Sequence, residues 1–192
     1  YYGFNTVTDK AVDESSPVGT DMWGQESIPW EAAASAADAL GVRTVNLRIG
    51  YVLSSEGGGL PAQIEQAQGS RGGSKPADAY RSWIHIEDLA RLYIFALETE
   101  ALSGPVNATA PGAVTNAQFA AEMGKVVGKE LSLSPAWLAR LFLGPVAEIY
   151  SRGRIVVPRK ATEAGFRFEY PTLAEALADL GPKVLAKQTA AG

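Results

Sequence analysis

An α/β fold, an open sheet followed by a small helical lobe, is predicted by three features of the 192-residue chain. Arg81-Ser82-Trp83-Ile84-His85-Ile86-Glu87-Asp88 alternates polar and apolar side chains as a short strand does. It runs without a break into Leu89 to Leu97, where Leu89, Leu92, Tyr93, Ala96 and Leu97 share one helical stripe. A strand therefore hands over directly to a helix. Upstream, a helix opened by Pro29 and stopped by Gly41 is followed by a strand-like run, which is half of a βαβ unit. Downstream, beyond about Leu131, short apolar helices replace the strand pattern.

Taken in order, residues 1 to 24 are rich in turn formers (Gly3, Asn5, Pro17, Gly19, Gly24) and are expected to wrap over a surface. Pro29 to Leu40 reads as a helix with proline early and glycine after its end. Val42 to Val52 reads as a strand with Val45, Leu47 and Ile49 on one face. Gly57-Gly58-Gly59 breaks the chain ahead of a short helix from Leu60 to Gln68, and Gly69 to Ala79 is a loop. Pro105 to Thr109 is a short strand. Thr115 or Asn116 caps a helix that presents Phe119, Met123, Val126 and Val127 before Gly128. Further helices are expected over Pro135 to Phe142, from Val146 to Tyr150, over Pro158 to Ala164 and from Pro171 to Leu180, the last stopped by Gly181-Pro182. Phe166-Arg167-Phe168 is an alternating strand between the last two, and Lys187 to Gly192 is a frayed tail.

With 46% hydrophobic and 20% charged residues, the composition is that of a folded protein rather than a disordered one. A formal charge of -4 gives no electrostatic footprint for nucleic acid, and no apolar run reaches the length of a membrane span. There is no cysteine and one histidine, which excludes disulfides, thiolate nucleophiles and a zinc site built from histidines within this chain. The absence of cysteine fits a reducing compartment, cytoplasmic or organellar. The opening Tyr1-Tyr2-Gly3 carries neither an initiator methionine nor a signal segment, and reads as the start of a fragment or processed product.

In an open α/β sheet, ligands bind beyond the carboxyl ends of the strands, so the exits of the strands at Arg48 to Leu53 and at Trp83 to His85 are the expected pocket walls. His85 is placed to donate to a ligand, or is satisfied by a backbone carbonyl or by Asp88. Arg48, in a strand of apolar and small residues, requires a counter-charge: Glu31, Asp88 or a ligand. Gly50 suggests a close backbone approach. Trp30, Glu31 and Trp83 are core and cap residues that can also touch a ligand. The adjacent Glu87 and Asp88 cannot face one atom as a dyad and are read as helix caps. Gly69 to Lys75 resembles an anion cradle in composition but lacks its spacing, and no Gly-x-Ser-x-Gly elbow supports a hydrolase.

Several segments follow one another in the order found in one family: Tyr1-Tyr2-Gly3, Asp13-Glu14-Ser15-Ser16-Pro17, Trp30-Glu31, Arg48 to Leu53 with Gly57-Gly58-Gly59-Leu60, Trp83 to Leu89, Asn107 to Pro111, and Pro158 to Leu177. Together they resemble the epimerase-like proteins of the short-chain dehydrogenase/reductase superfamily, with their characteristic C-terminal domain. The resemblance implies the C-terminal portion of a Rossmann-like, doubly wound parallel sheet over 1–130, lacking its glycine-rich N-terminal half. It further implies a family-specific helical domain over 131–181, with a tail over 182–192. It also implies NADP or NAD as cofactor, with NADP favoured, and a small carbonyl or sugar-nucleotide substrate. Val52, with Gly50 and Arg48 supporting, is then expected beside the nicotinamide, and His85, Trp83, Arg81 and Trp30 in the substrate pocket.

Three departures stand against that pattern. The superfamily's Tyr-x-x-x-Lys positions, counted back from Glu31, hold Trp23 and Ser27, which cannot supply its proton transfer, so no residue is assigned as catalytic. Pro29 is expected to shorten or kink the same helix. The glycine-rich hairpin before Trp83 reads Pro76-Ala77-Asp78-Ala79. Three functions remain: a hydride-transferring oxidoreductase or epimerase, a non-catalytic dinucleotide-binding protein, and a protein-interaction module.

Overall fold

The computed structural model describes residues 10–19, 22–69, 77–131 and 153–191. The opening Tyr-Tyr-Gly segment, most of the Gly69 to Lys75 loop and the expected helices between Pro135 and Tyr150 lie outside them.

Helix α1, Met22–Ser35, continues through a single-turn 3-10 segment, Ala36–Leu40, to Gly41. It begins seven residues ahead of Pro29, which stands inside it rather than at its start. Strand β1 is Val45–Ile49 and β2 is Tyr51–Leu53, with Gly50 interrupting the single expected strand. The interruption is a change of partner: β1 pairs in parallel with β5, Gly104–Ala108, whereas β2 pairs in parallel with β4, Trp83–His85. At the handover the Gly50 N–H bonds Ala108 and the Tyr51 N–H bonds Ser82. A Cβ on Gly50 would lie 2.9 Å from Thr109 Cγ2 and 3.0 Å from the Ser82 carbonyl oxygen, so the close backbone approach read from the sequence is present.

Helix α2 is Gly59–Gln68, and β3, Tyr80–Arg81, pairs antiparallel with β6, Val114–Thr115. His85 leads directly into α3, Ile86–Glu98, as expected. Arg43 secures the far end of that helix by donating to the carbonyls of Ala96, Leu97 and Leu102. Helix α4, Asn116–Val127, carries a capping box in which Thr115 and Gln118 bond each other's backbone, and it ends at a left-handed Gly128.

Alternation along β4 divides the core in two. Trp83 joins Leu53 under α2, α4 and the C-terminal helix, with Leu60, Ile64, Phe119, Met123, Leu177 and Leu180. Ile84 joins Leu89, Leu92, Val106 and Phe166, against which Val45, Leu47, Ile49 and Val52 pack. The sheet is therefore covered on both faces, as parallel sheets require.

Three elements of the C-terminal region differ from expectation or refine it. Helix α5, Arg159–Glu163, forms as read. Phe166 to Phe168 is not a strand: the two amides that follow bond the Asp88 carboxylate, and the Phe166 ring meets the rings of Phe95 and Phe168 edge-on. Helix α6, Leu173–Ala191, passes through Gly181-Pro182 and takes in the expected tail. Leu180 and Val184, either side of the breaker pair, are 2% and 1% exposed, and their burial offsets the proline's missing hydrogen bond. At Gly181 α6 lies against α4: a Cβ there would stand 2.8 Å from Val126.

Candidate functional site

The parallel register sets Leu53 beside His85, with Val52 opposite Ile84, so the two strand exits lie side by side on one edge of the sheet. That adjacency is the geometry a ligand crevice needs. Of the residues expected there, Arg48 lies in β1, Gly50 at the handover and Val52 in β2. Val52 packs with Val45, Leu47 and Ile49 on the Ile84 side, and Arg48, alternating with Leu47 and Ile49, belongs to the other face. Arg48 is 6% exposed and forms a two-pronged ion pair with Glu31 of α1, Nε to Oε1 at 2.6 Å and Nη2 to Oε2 at 2.7 Å. Its counter-charge is thus the first of the two carboxylates named from the sequence.

His85 is 2% exposed and both ring nitrogens are engaged within the chain. Nδ1 accepts the Glu87 N–H at 3.0 Å, making His85 the N-cap of α3, and Nε2 faces Asp179 Oδ2 of α6 at 3.2 Å. The ring stacks on Tyr170 at 3.8 Å. Its acidic partner is therefore Asp179, ninety-four positions away, and not Asp88. Asp179 also takes Lys183 Nζ at 2.7 Å on each oxygen, and this, with the His85 contact, holds its carboxyl below the usual range. Trp83 is fully buried, with Nε1 donating to the Gly112 carbonyl at 2.8 Å. Trp30 is 77% exposed on α1.

Asp88 does more than cap a helix. It is fully buried; Oδ1 accepts Arg91 Nη1 at 2.8 Å and the Glu169 N–H at 2.9 Å, and Oδ2 accepts the Tyr170 N–H at 2.9 Å. Glu14 performs a similar task on another side, accepting the Asn107 N–H at 2.9 Å and the Lys160 N–H at 3.3 Å. Residues 154–157 are stitched to the sheet by Ser82, Asn107 and Thr109 side chains and bridged to Val12.

Arg81 collects a polar cluster that the sequence reading missed. Nη1 donates to Gln63 Oε1 at 3.0 Å and Nη2 to Asn116 Oδ1 at 3.1 Å. The guanidinium lies 4.0 Å from the Phe119 ring centroid and 5.1 Å from that of Tyr51, whose hydroxyl accepts from Gln63 Nε2. Among the described residues no carboxylate lies within ion-pair distance of Arg81, so a half-buried cation is held by neutral partners. Burial lowers the Arg81 pKa and raises that of Tyr51. The signals for this cluster were modest: Gln63 one turn beyond Gly59, and a buried amide, Asn116, opening α4. Among the described residues there is no group of side chains able to hold a metal ion, and no helix is long and apolar enough to cross a membrane.

A family described as "Domain of unknown function (DUF1731)" matches residues 134–180. An epimerase family protein of Mycobacterium bovis is 39% identical over 92% of this chain and 59% of its own length. The "Epimerase family protein SDR39U1 homolog, chloroplastic" of Arabidopsis thaliana is 34% identical over 92% of this chain and 51% of its own. Among solved structures, human epimerase family protein SDR39U1 with NADPH superposes with a TM-score of 0.80 at 30% identity, over 94% of this chain and 62% of that one. Thermus thermophilus UDP-glucose 4-epimerase complexed with NAD shares the fold, with a TM-score of 0.76 at 15% identity. The chain thus spans from about half to about three fifths of the length of the relatives it matches.

Proposed function

Because this chain belongs to the epimerase family of the short-chain dehydrogenase/reductase superfamily, we propose that it supplies the strand-exit wall of an NAD(P)-binding fold acting on a small carbonyl or sugar-nucleotide substrate. The observation that carries this reading is the parallel pairing of β2 with β4, which aligns both exits on one edge, with Arg81 at the start of the same stretch. The wall fits a nicotinamide ring: Val52 is apolar, Gly50 has no side chain, and the charge of Arg48 is neutralised by Glu31. When bound, the dinucleotide supplies or accepts the hydride.

Within this reading, Val52, Gly50 and Arg48 line the nicotinamide side. Arg81, braced by Gln63 and Asn116, attracts an anionic part of the substrate such as the phosphates of a sugar nucleotide, because its hydrogen-bond partners among the described residues are neutral amides. Trp83 and His85, being buried, support that wall from behind, and Trp30, exposed on α1, is open to a substrate. The region over 131–181 acts as a family-specific unit fastened to the sheet through the shared core and Asp88. The binding of NADPH by a relative 30% identical supports NADP over NAD, and a chloroplastic relative supports an organellar or cytoplasmic setting.

The test titrates the full-length gene product with NADPH and NADH by fluorescence, then follows reduced nicotinamide absorbance with UDP-glucose and a panel of small carbonyl compounds. NADPH should bind more tightly than NADH, and Arg81→Met should weaken substrate without altering NADPH affinity. Failure to bind either dinucleotide removes the proposal. Tight binding with no turnover supports the second reading, a non-catalytic dinucleotide-binding protein, which rests on Trp23 and Ser27 at the positions of the superfamily's tyrosine and lysine.

A further inference from the structure

His85 joins three elements with one ring. Its Nδ1 is the acceptor that caps α3, its Nε2 meets α6 at Asp179, and its face lies on Tyr170. An acceptor at Nδ1 carries no proton, so the capped state is the neutral ring with hydrogen on Nε2. Protonation places a second N–H at Nδ1, opposite the Glu87 N–H. An imidazolium has no acceptor in any ring orientation, so the cap is lost whichever way the ring turns. The other contact responds in the opposite sense: Nε2–H to Asp179 becomes a charge-assisted bond.

We propose that His85 is an acid-released latch: on protonation it lets go of the first turn of α3 while keeping its hold on α6. The charged and titratable groups around it come from every element packed there. They are Glu87 and buried Asp88 of α3, with Arg91 on Asp88; Glu169 and Tyr170 of the segment leading into α6; and Asp179 and Lys183 of α6. Asp179 is already shared with Lys183, and the Asp88 oxygens are taken by Arg91 and two backbone amides. The turn released is the one beside Leu53 and the exit of β2, so the latch shifts the rim of the edge on which both strands end. This inference stands on the ring's own contacts and does not depend on which ligand that edge binds.

As the chain's single histidine, His85 gives an unambiguous titration by NMR. The protection factor of the Glu87 amide, its exchange rate corrected for the intrinsic effect of pH, is followed across that titration in the chain and in His85→Asn, whose amide caps without titrating. In the parent chain protection should fall about fivefold as His85 protonates, the weight of a cap worth about 1 kcal/mol, while amides of α6 near Asp179 keep theirs. In His85→Asn protection should stay flat. Unchanged Glu87 protection across the titration, a histidine that remains neutral at every pH where the chain is folded, or the same pH dependence in His85→Asn would each overturn the latch.

Discussion

Replacing Asp88 by asparagine tests how the C-terminal region is held. The carboxylate is fully buried and accepts from Arg91 Nη1 and from the backbone amides of Glu169 and Tyr170. Asparagine keeps the shape but turns one oxygen into a donor, so at least one of the three donors loses its acceptor and meets another N–H. Arg91, whose other carboxylate contact among the described residues is the exposed Glu169 at 3.6 Å, loses the charge of its close partner. A hydrogen bond to a charged group contributes about 1.5–3 kcal/mol, and breaking a buried charge network costs about 3–5 kcal/mol. The expected loss is therefore about 3–4 kcal/mol, which for a chain of this size lowers Tm by roughly 10 °C. Urea unfolding gives the free energy. Limited trypsin digestion gives the location, because Arg167, two residues ahead of the released amides, should become a preferred cut. A stability change under about 1 kcal/mol, or unaltered cleavage at Arg167, would show that the fastening lies elsewhere.

Two further outcomes follow from local geometry. Gly50→Ala should destabilise by about 1–3 kcal/mol, because its Cβ is pressed against Thr109 Cγ2 and the Ser82 carbonyl. Thr109→Ser removes that methyl but keeps the hydroxyl bonded to Val156, so the double variant should recover part of the loss in urea unfolding. Asp179 has a pKa lowered in the folded state, foremost by its bond to Lys183, so its contribution is fully present above the unfolded value of about 3.9 and is lost as pH falls through the folded one. In the His85→Asn background, where no imidazole titrates beside it, the stability difference made by Asp179→Asn should accordingly be level from neutral pH down to about pH 5 and narrow only below about pH 4.

The junction at Trp83 to Glu98 was legible because it is local: a change from period two to a helical stripe needs no knowledge of what packs on it. An N-cap at Thr115 or Asn116 was readable for the same reason, and the structure gives it to Thr115. Helix α6 was not, because Gly181-Pro182 is a breaker by every local rule, and only burial of Leu180 and Val184 on a shared face carries the helix across it. Phe166 to Phe168 alternates like a strand, but its continuation pairs with a side chain, and no periodicity announces that. At the site, Arg48 demanded a counter-charge and Glu31 was among those named, since a buried guanidinium is costly alone. The partner of His85 and the amides around Arg81 escaped notice, because Asp179, Gln63 and Asn116 are ordinary surface-type residues until the fold brings them in.

The fastening of residues 154–157 is one-sided. What the sheet grips there is main chain: the carbonyls of Arg154, Val156 and Val157 and the amide of Val156. The recognising groups are Asn107 of β5, Thr109 just past its end and Ser82 just ahead of β4. Positions 155 and 157 are thus free to drift through generations with little penalty, whereas a single change at Asn107 or Thr109 would undo a contact that no replacement on the opposite side restores.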